Sequence, residues 1–265
     1  MSADEVTLST GTLDKLLSAQ SVVVSDVAGS SARGTRRSRN EDAWGFRGGG
    51  AFVVADGMGG RPGGDVAALA SVESFLEQLC SDSIDWRALF DTVNRSVSRS
   101  AESHGLSDVG AVAIGMRCSG DRITLAHVGD ARAYRLRDSQ VQQLTRDHSI
   151  AEAIATLGVR RSASGLPTRQ LAAVTSFFGG THSAEEFSVH ELTPRSGDRI
   201  VLCSDGVYRF VETSDWMWAA SAPSAHGAAE GLVARARSNG STDDCTALVI
   251  DVDVDITAPT DWTVS

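Results

Sequence analysis

The chain has 265 residues, 42% of them hydrophobic, with 34 acidic against 24 basic side chains and a formal net charge of −10. Such length and apolar content support a substantial core in one large domain or two small ones. The acid excess argues against nucleic acid and anionic membrane as main partners, because both reward clustered Lys and Arg.

Residues 1–20 mix Ser, Thr, Asp and Leu without sustained periodicity and read as a flexible extension. They lack a basic start followed by a long apolar segment, and no later run is long enough to span a bilayer, so cytoplasmic residence is the expectation. Residues 22–24 read as a first strand, and a Gly, Ser and Arg stretch over 28–39 leads into Asn40-Glu41-Asp42. A strand over 52–55 then delivers Asp56 into Gly57-Met58-Gly59-Gly60, where glycine permits a sharp turn or close approach to a ligand. Val66, Leu69, Val72, Phe75, Leu76 and Leu79 recur at helical spacing, as do Trp86, Leu89, Phe90, Val93 and Val97, so both stripes are read as core-facing.

Beyond residue 112 the texture changes. Short apolar runs at 112–118, 123–128, 133–136 and 141–144, separated by Ser-Gly-Asp, Gly-Asp and Asp-Ser, predict a meander of antiparallel hairpins. A short helix over 149–157 and a polar, mobile loop over 158–167 follow. Strands at 187–192, 198–203 and 246–252, helix between 213 and 238, and a disordered tail over 255–265 complete the reading. Strands, paired helices and strands again do not make a regular βαβ alternation, so the order predicts an α+β layered domain over residues 21–254. Cys80, Cys118, Cys203 and Cys245 form no CxxC or Cys/His cluster, and four reduced, mostly buried thiols are expected.

Carboxylates recur where a strand-like run meets a turn: Asp56 before Gly57, Asp130 after Gly129, Asp205 before Gly206, and Asp243-Asp244 before the last strand. If these strand ends converge, the crowded charges repel unless cations neutralise them. Oxygen ligands without His or Cys select Mg²⁺ or Mn²⁺ over Zn²⁺, two such ions can activate a shared water, and a phosphoryl group is the matching substrate. The residues alone leave a metal site and a set of ordinary Asx-rich turns both open.

Six motifs in order carry a resemblance: Arg37-Ser-Arg-Asn-Glu-Asp42, Ala55-Asp-Gly-Met-Gly-Gly60, Val128-Gly-Asp-Ala-Arg132, Leu144-Thr-Arg-Asp-His-Ser149, Cys203-Ser-Asp-Gly206 and Asp243-Asp-Cys-Thr246. Over residues 22–252 the chain resembles the metal-dependent protein phosphatases of the type 2C class, in their bacterial form. The resemblance implies a four-layer α-β-β-α sandwich, two central antiparallel sheets flanked by helix pairs. It also implies hydrolysis of phosphoserine and phosphothreonine by a metal-activated water, with two Mn²⁺ or Mg²⁺ ions and a weaker third. In that pattern Asp56 bridges both metals, Gly57 offers its carbonyl, and Asp205 and Asp243 complete the pair. Glu41 binds through water with Asp42 in support, Asp130 serves the third ion, and Arg37 grips the phosphate. Phosphoproteins made by a serine/threonine kinase are the implied partners, and a monomer the implied state.

Each residue also has a plainer reading. Arg37 lies among Arg33, Arg36 and Arg39 in what would otherwise be a solvated basic loop, Asp42 could cap a turn, and Asp147-His148 reads as a structural cap. Met58 stands where some relatives carry His and cannot donate a proton, and Asp244 stands where many carry Asn, either tightening metal binding or facing solvent. Residues 171–180 match only loosely. The competing functions are a non-catalytic binding module on the same fold and a hydrolase of small phosphate esters.

Overall fold

The computed structural model describes residues 19–48, 50–58, 63–158, 165–180 and 186–257. The expectations for residues 1–18 and 258–265, for Gly59 and Gly60, and for most of the 158–167 loop lie outside the described residues.

Two antiparallel sheets form the centre. Strands β1 (Ala19–Ala32), β2 (Asp42–Arg47) and β3 (Ala51–Met58) precede helices α1 (Gly64–Leu79) and α2 (Trp86–Ser103). Next come β4 (Gly110–Ser119), β5 (Arg122–Val128), β6 (Arg132–Arg137) and β7 (Gln140–Gln143), then short helices α3 (Ile150–Thr156) and α4 (Thr168–Leu171). The rest is β8 (Phe178–Gly179), β9 (Ser188–Leu192), β10 (Asp198–Cys203), α5 (Asp205–Tyr208), α6 (Thr213–Ser221), α7 (Ala225–Ser238) and β11 (Cys245–Thr257). One sheet runs β1-β11-β10-β6-β7 and the other β2-β3-β4-β5-β9, with β8 added beside β4.

The period of two along each strand sorts side chains between layers. In β3, Ala51, Val53 and Ala55 pack with Phe75 and Phe90 of the α1/α2 layer, whereas Phe52 and Val54 join Ile114, Leu202 and Ile250 between the sheets. In β11, Cys245, Ala247 and Val249 meet Leu232 and Val233 of α7, while Leu248 and Ile250 face the other sheet. The result is the α-β-β-α sandwich that the resemblance implied. Asp56 falls on the inter-sheet face by the same alternation, at the end of a strand whose preceding residues are all buried.

Several expectations are corrected. The meander is divided: β5 pairs with β4 and β9, β6 pairs with β10 and β7, and the chain crosses between sheets at Gly129-Asp130-Ala131. Gly129 has φ +88°, and a Cβ there would lie 2.0 Å from Val112, so this crossing needs glycine. Strand β1 is far longer than residues 22–24 because it pairs with β11 along almost its whole length, into the Gly/Ser stretch read as loop. Edge strand β2 was missed. Leu69 is 53% exposed, and Ala67, Ala68 and Ala70 are the buried residues on that part of α1. All four cysteines are free, with Cys80 exposed and the others buried.

Candidate active site

Strand pairing places Asp42, the first residue of β2, directly across from Asp56. Asp205 opens α5 just after β10, Asp243 lies two residues before β11, and Asp130 sits in the crossing between sheets. These ends meet in a cleft of about 550 Å³ that Arg37, Asp56, Gly57, Asp130, Asp205 and Asp243 line. Glu41 and Asp42 do not line it. Glu41 reaches it through Arg37, and Asp42 stands beside Asp56 across the strand pair. Gly57 is fixed by space: a Cβ would come within 2.1 Å of the Gly64 carbonyl oxygen. Its N–H donates to the Glu41 carbonyl at 2.9 Å.

Burial first, and then the charges of Asp42, Asp205, Asp130 and Asp243, push the Asp56 carboxyl well above the usual range. Among the described residues, none donates a hydrogen bond to it. Burial raises Asp42 to about 7, against the lowering hydrogen bond of Ser204. The Ser204 hydroxyl donates to Asp42 Oδ2 at 2.7 Å, while Asp42 Oδ1 is buried with no partner. Asp205 is raised to about 6 by burial despite the opposing charge of Arg209. Burial also raises Asp130 and Glu41, with Arg209 and Arg37 respectively acting the other way.

Two arginines oppose this charge. Arg37 donates from Nε to Asp243 Oδ1 at 2.8 Å and from Nη1 to Glu41 Oε2 at 2.7 Å. Arg209 Nη2 lies 3.0 Å from Asp130 Oδ2 and 3.2 Å from Asp205 Oδ2. Arg209 is absent from the sequence-based set. Its one sequence signal is the i, i+4 spacing from Asp205, which acts only once α5 forms.

His148 and Asp147 are structural, but neither is the cap expected of the pair, since Ser149 is the N-cap of α3. The Gly129 N–H donates to His148 Nδ1 at 3.1 Å, and the His148 N–H donates to the Gly129 carbonyl at 2.9 Å, which clamps the turn carrying Asp130. Asp147 instead accepts two hydrogen bonds from Arg132. Asp244 neither joins the cleft nor faces solvent. It is buried, and its two oxygens accept from the N–H groups of Gly34, at 2.7 Å, and Glu41, at 2.8 Å. This staples the loop bearing Arg37 to the start of β11. Asp244→Ala is therefore expected to lower stability by roughly 2–4 kcal/mol, through two orphaned buried donors, and to reduce turnover with it. An unchanged urea midpoint would contradict that role.

The donor set fits hard divalent cations. Among the described residues it offers only oxygens, concentrates negative charge around a carboxylate that receives no hydrogen bond, and leaves one buried carboxylate oxygen unpaired. Among the described residues, no three acidic, His or Cys side chains already close on one point. The carboxylates line an open cleft, an arrangement suited to ions that keep water and share oxygens with a substrate.

Known proteins give the same picture. The serine/threonine protein phosphatase PstP of Mycobacterium tuberculosis is 30% identical over 234 residues, which cover 85% of this chain and 44% of that one, so the chain spans less than half of that relative. The serine/threonine phosphatase stp of Listeria monocytogenes is 29% identical over 244 residues, covering 84% and 94%. A crystal structure of the PstP catalytic domain in complex with two manganese ions superposes with a TM-score of 0.71 at 27% identity, covering 88% of this chain and 99% of that one. The profile described as protein phosphatase 2C matches residues 28–235. By that match, on a fold whose carboxylates meet at the strand ends, the chain belongs to the protein phosphatase 2C family.

Proposed function

We propose that residues 21–254 form a Mg²⁺- or Mn²⁺-dependent protein phosphatase domain that hydrolyses phosphoserine and phosphothreonine. The observation that carries this reading is the convergence of Asp42, Asp130, Asp205 and Asp243 on Asp56, a carboxylate to which none of the described residues donates a hydrogen bond. In it Asp56, the Gly57 carbonyl, Asp205 and Asp243 would hold two cations, Glu41 would act through water, and Asp130 would serve a weaker third ion. When bound, the cations would neutralise phosphoryl oxygens and make a water nucleophilic.

The chain's own residues do the rest. Arg37 presents a planar fork of donors at the cleft and is 36% exposed there, so it can turn from Asp243 and Glu41 to a phosphate. Asp42, held by Ser204, fixes the start of β2 against the end of β10 and so keeps Asp56 and Asp205 in register. His148 holds the Asp130 turn. Met58 lines the cleft but has no proton to give, which leaves protonation of the departing alkoxide to water.

Under this reading the partners are phosphorylated proteins, products of a serine/threonine kinase, met in the cytoplasm by a monomeric enzyme. Among the described residues no helix is long and apolar enough to cross a membrane. The test is phosphate release from a phosphothreonine peptide and from a small phosphate ester, each with Mn²⁺ and with EDTA. Metal-dependent turnover of the peptide is expected; equal release in EDTA would sink the proposal, and turnover of the small ester alone would favour a small-molecule hydrolase.

A further inference from the structure

The cleft continues past Asp130. A second cavity, of about 400 Å³, shares Asp130, Ala172 and Arg209 with it and extends to Arg132, Asp147, Ala151, Leu171 and Tyr208. We propose that this cavity receives the apolar side chain of a substrate residue flanking the phosphorylated one, a proposal that rests on the phosphatase reading above.

Among the described residues, each charged side chain lining the cavity already has an ion-pair partner. Arg132 meets both oxygens of Asp147, at 2.8 and 2.7 Å, gives Nη1 to the Tyr134 hydroxyl at 3.1 Å, and lies over the Tyr208 ring at 3.8 Å. Arg209 is held between Asp130 and Asp205. Ser149 is occupied as well, accepting the Glu152 N–H as the N-cap of α3. A charged occupant of either sign would have to break one of these pairs or stay unpaired in a partly desolvated space. Among the described residues, what remains for contact is the methyl of Ala151, the side chains of Leu171 and Ala172, the Tyr208 ring, and Thr168 at the rim.

Two further features select the occupant. The cavity is large enough for a Leu or Met side chain with room to spare. Because it shares a wall with the phosphate cleft, and an extended chain advances about 3.3 Å per residue, a residue one or two positions from the phosphothreonine reaches it. The hydrophobic gain from filling it corresponds to about ten-fold in kcat/KM.

The experiment measures kcat/KM with Mn²⁺ for phosphothreonine peptides carrying Leu, Ala, Asp or Lys at each of the three positions on either side, beside a small phosphate ester. At one position Leu is expected to exceed Asp and Lys by about ten-fold. Thr168→Phe, at the exposed rim, should erase that preference by blocking the mouth, and Leu171→Ala should shift it toward larger side chains, both with ester turnover retained. A flat profile across all positions, or a preference that neither variant alters, overturns the proposal while leaving the phosphatase reading intact. Absence of turnover on every substrate would instead remove the reading beneath it.

Discussion

Asp56→Asn is expected to cut phosphate release by about 10³-fold or more while making the metal-free protein more stable. The two effects share one cause. Asp56 follows five buried residues of β3, no described residue donates to it, and Asp42, Asp205, Asp130 and Asp243 all raise the cost of its charge. An amide of the same shape removes that repulsion, so a gain of about 1–2 kcal/mol, or a few degrees in Tm, is expected without metal. The same amide is a weaker ligand than a carboxylate and leaves the site short of the charge that cations need. Calorimetric scans in EDTA paired with turnover in Mn²⁺ would check both halves. A variant that kept its activity, or that lost stability as well as activity, would mean that Asp56 is a structural residue.

A second large effect lies in pH. Asp42 and Asp205 titrate at about 7 and about 6 in the folded protein, against an ordinary 3.8. Between 3.8 and 7 the folded state therefore binds more protons than the unfolded one, and the metal-free protein must lose stability as pH rises through that window. Cations reverse the sign, because they bind the ionised carboxylates and displace those protons. The increase in Tm on adding Mn²⁺ should accordingly be small near pH 5 and reach about 5–10 °C near pH 8 with metal at a hundred times its Kd. An increase of equal size at both pH values would place the metal elsewhere.

The parts of the fold and site legible in the sequence are those with a local signature. The apolar runs of β3, β4, β5 and β10 and the helical stripes of α1 and α2 each announce themselves within ten or twenty residues, and Asp56, Asp130, Asp205 and Asp243 are each visible as an acid at a strand end. What was hidden depends on distant partners. Strand β1 extends through a Gly/Ser stretch because β11, more than two hundred residues later, supplies its hydrogen bonds. The Gly129-Asp130 turn looks locally like a hairpin, and only the separate pairing of β5 with β9 and β6 with β10 turns it into a crossing between sheets.

Site support was hidden for the same reason. Ser204 and Asp42 are 162 residues apart, and the hydrogen bond between them is invisible until β2 and β10 are brought together. In the Asp243-Asp244 pair, adjacency gives no sign that one side chain lines the cleft while the other turns back to staple the Arg37 loop. Asp244 thus has a structural reason to be an acid, since each of its two oxygens meets a separate N–H donor. Leu69 illustrates a different limit. Helical spacing put it on the core stripe, but the alanines beside it are the residues packed inward.

Whether Asp56 joins two cations, as proposed, can be read from anomalous diffraction by crystals of this chain grown with Mn²⁺. Two manganese peaks are expected on either side of the Asp56 carboxylate, one within reach of Asp205 and Asp243, both lost in Asp56→Asn. A single peak away from Asp56, or none in the cleft at saturating Mn²⁺, would contradict the proposal.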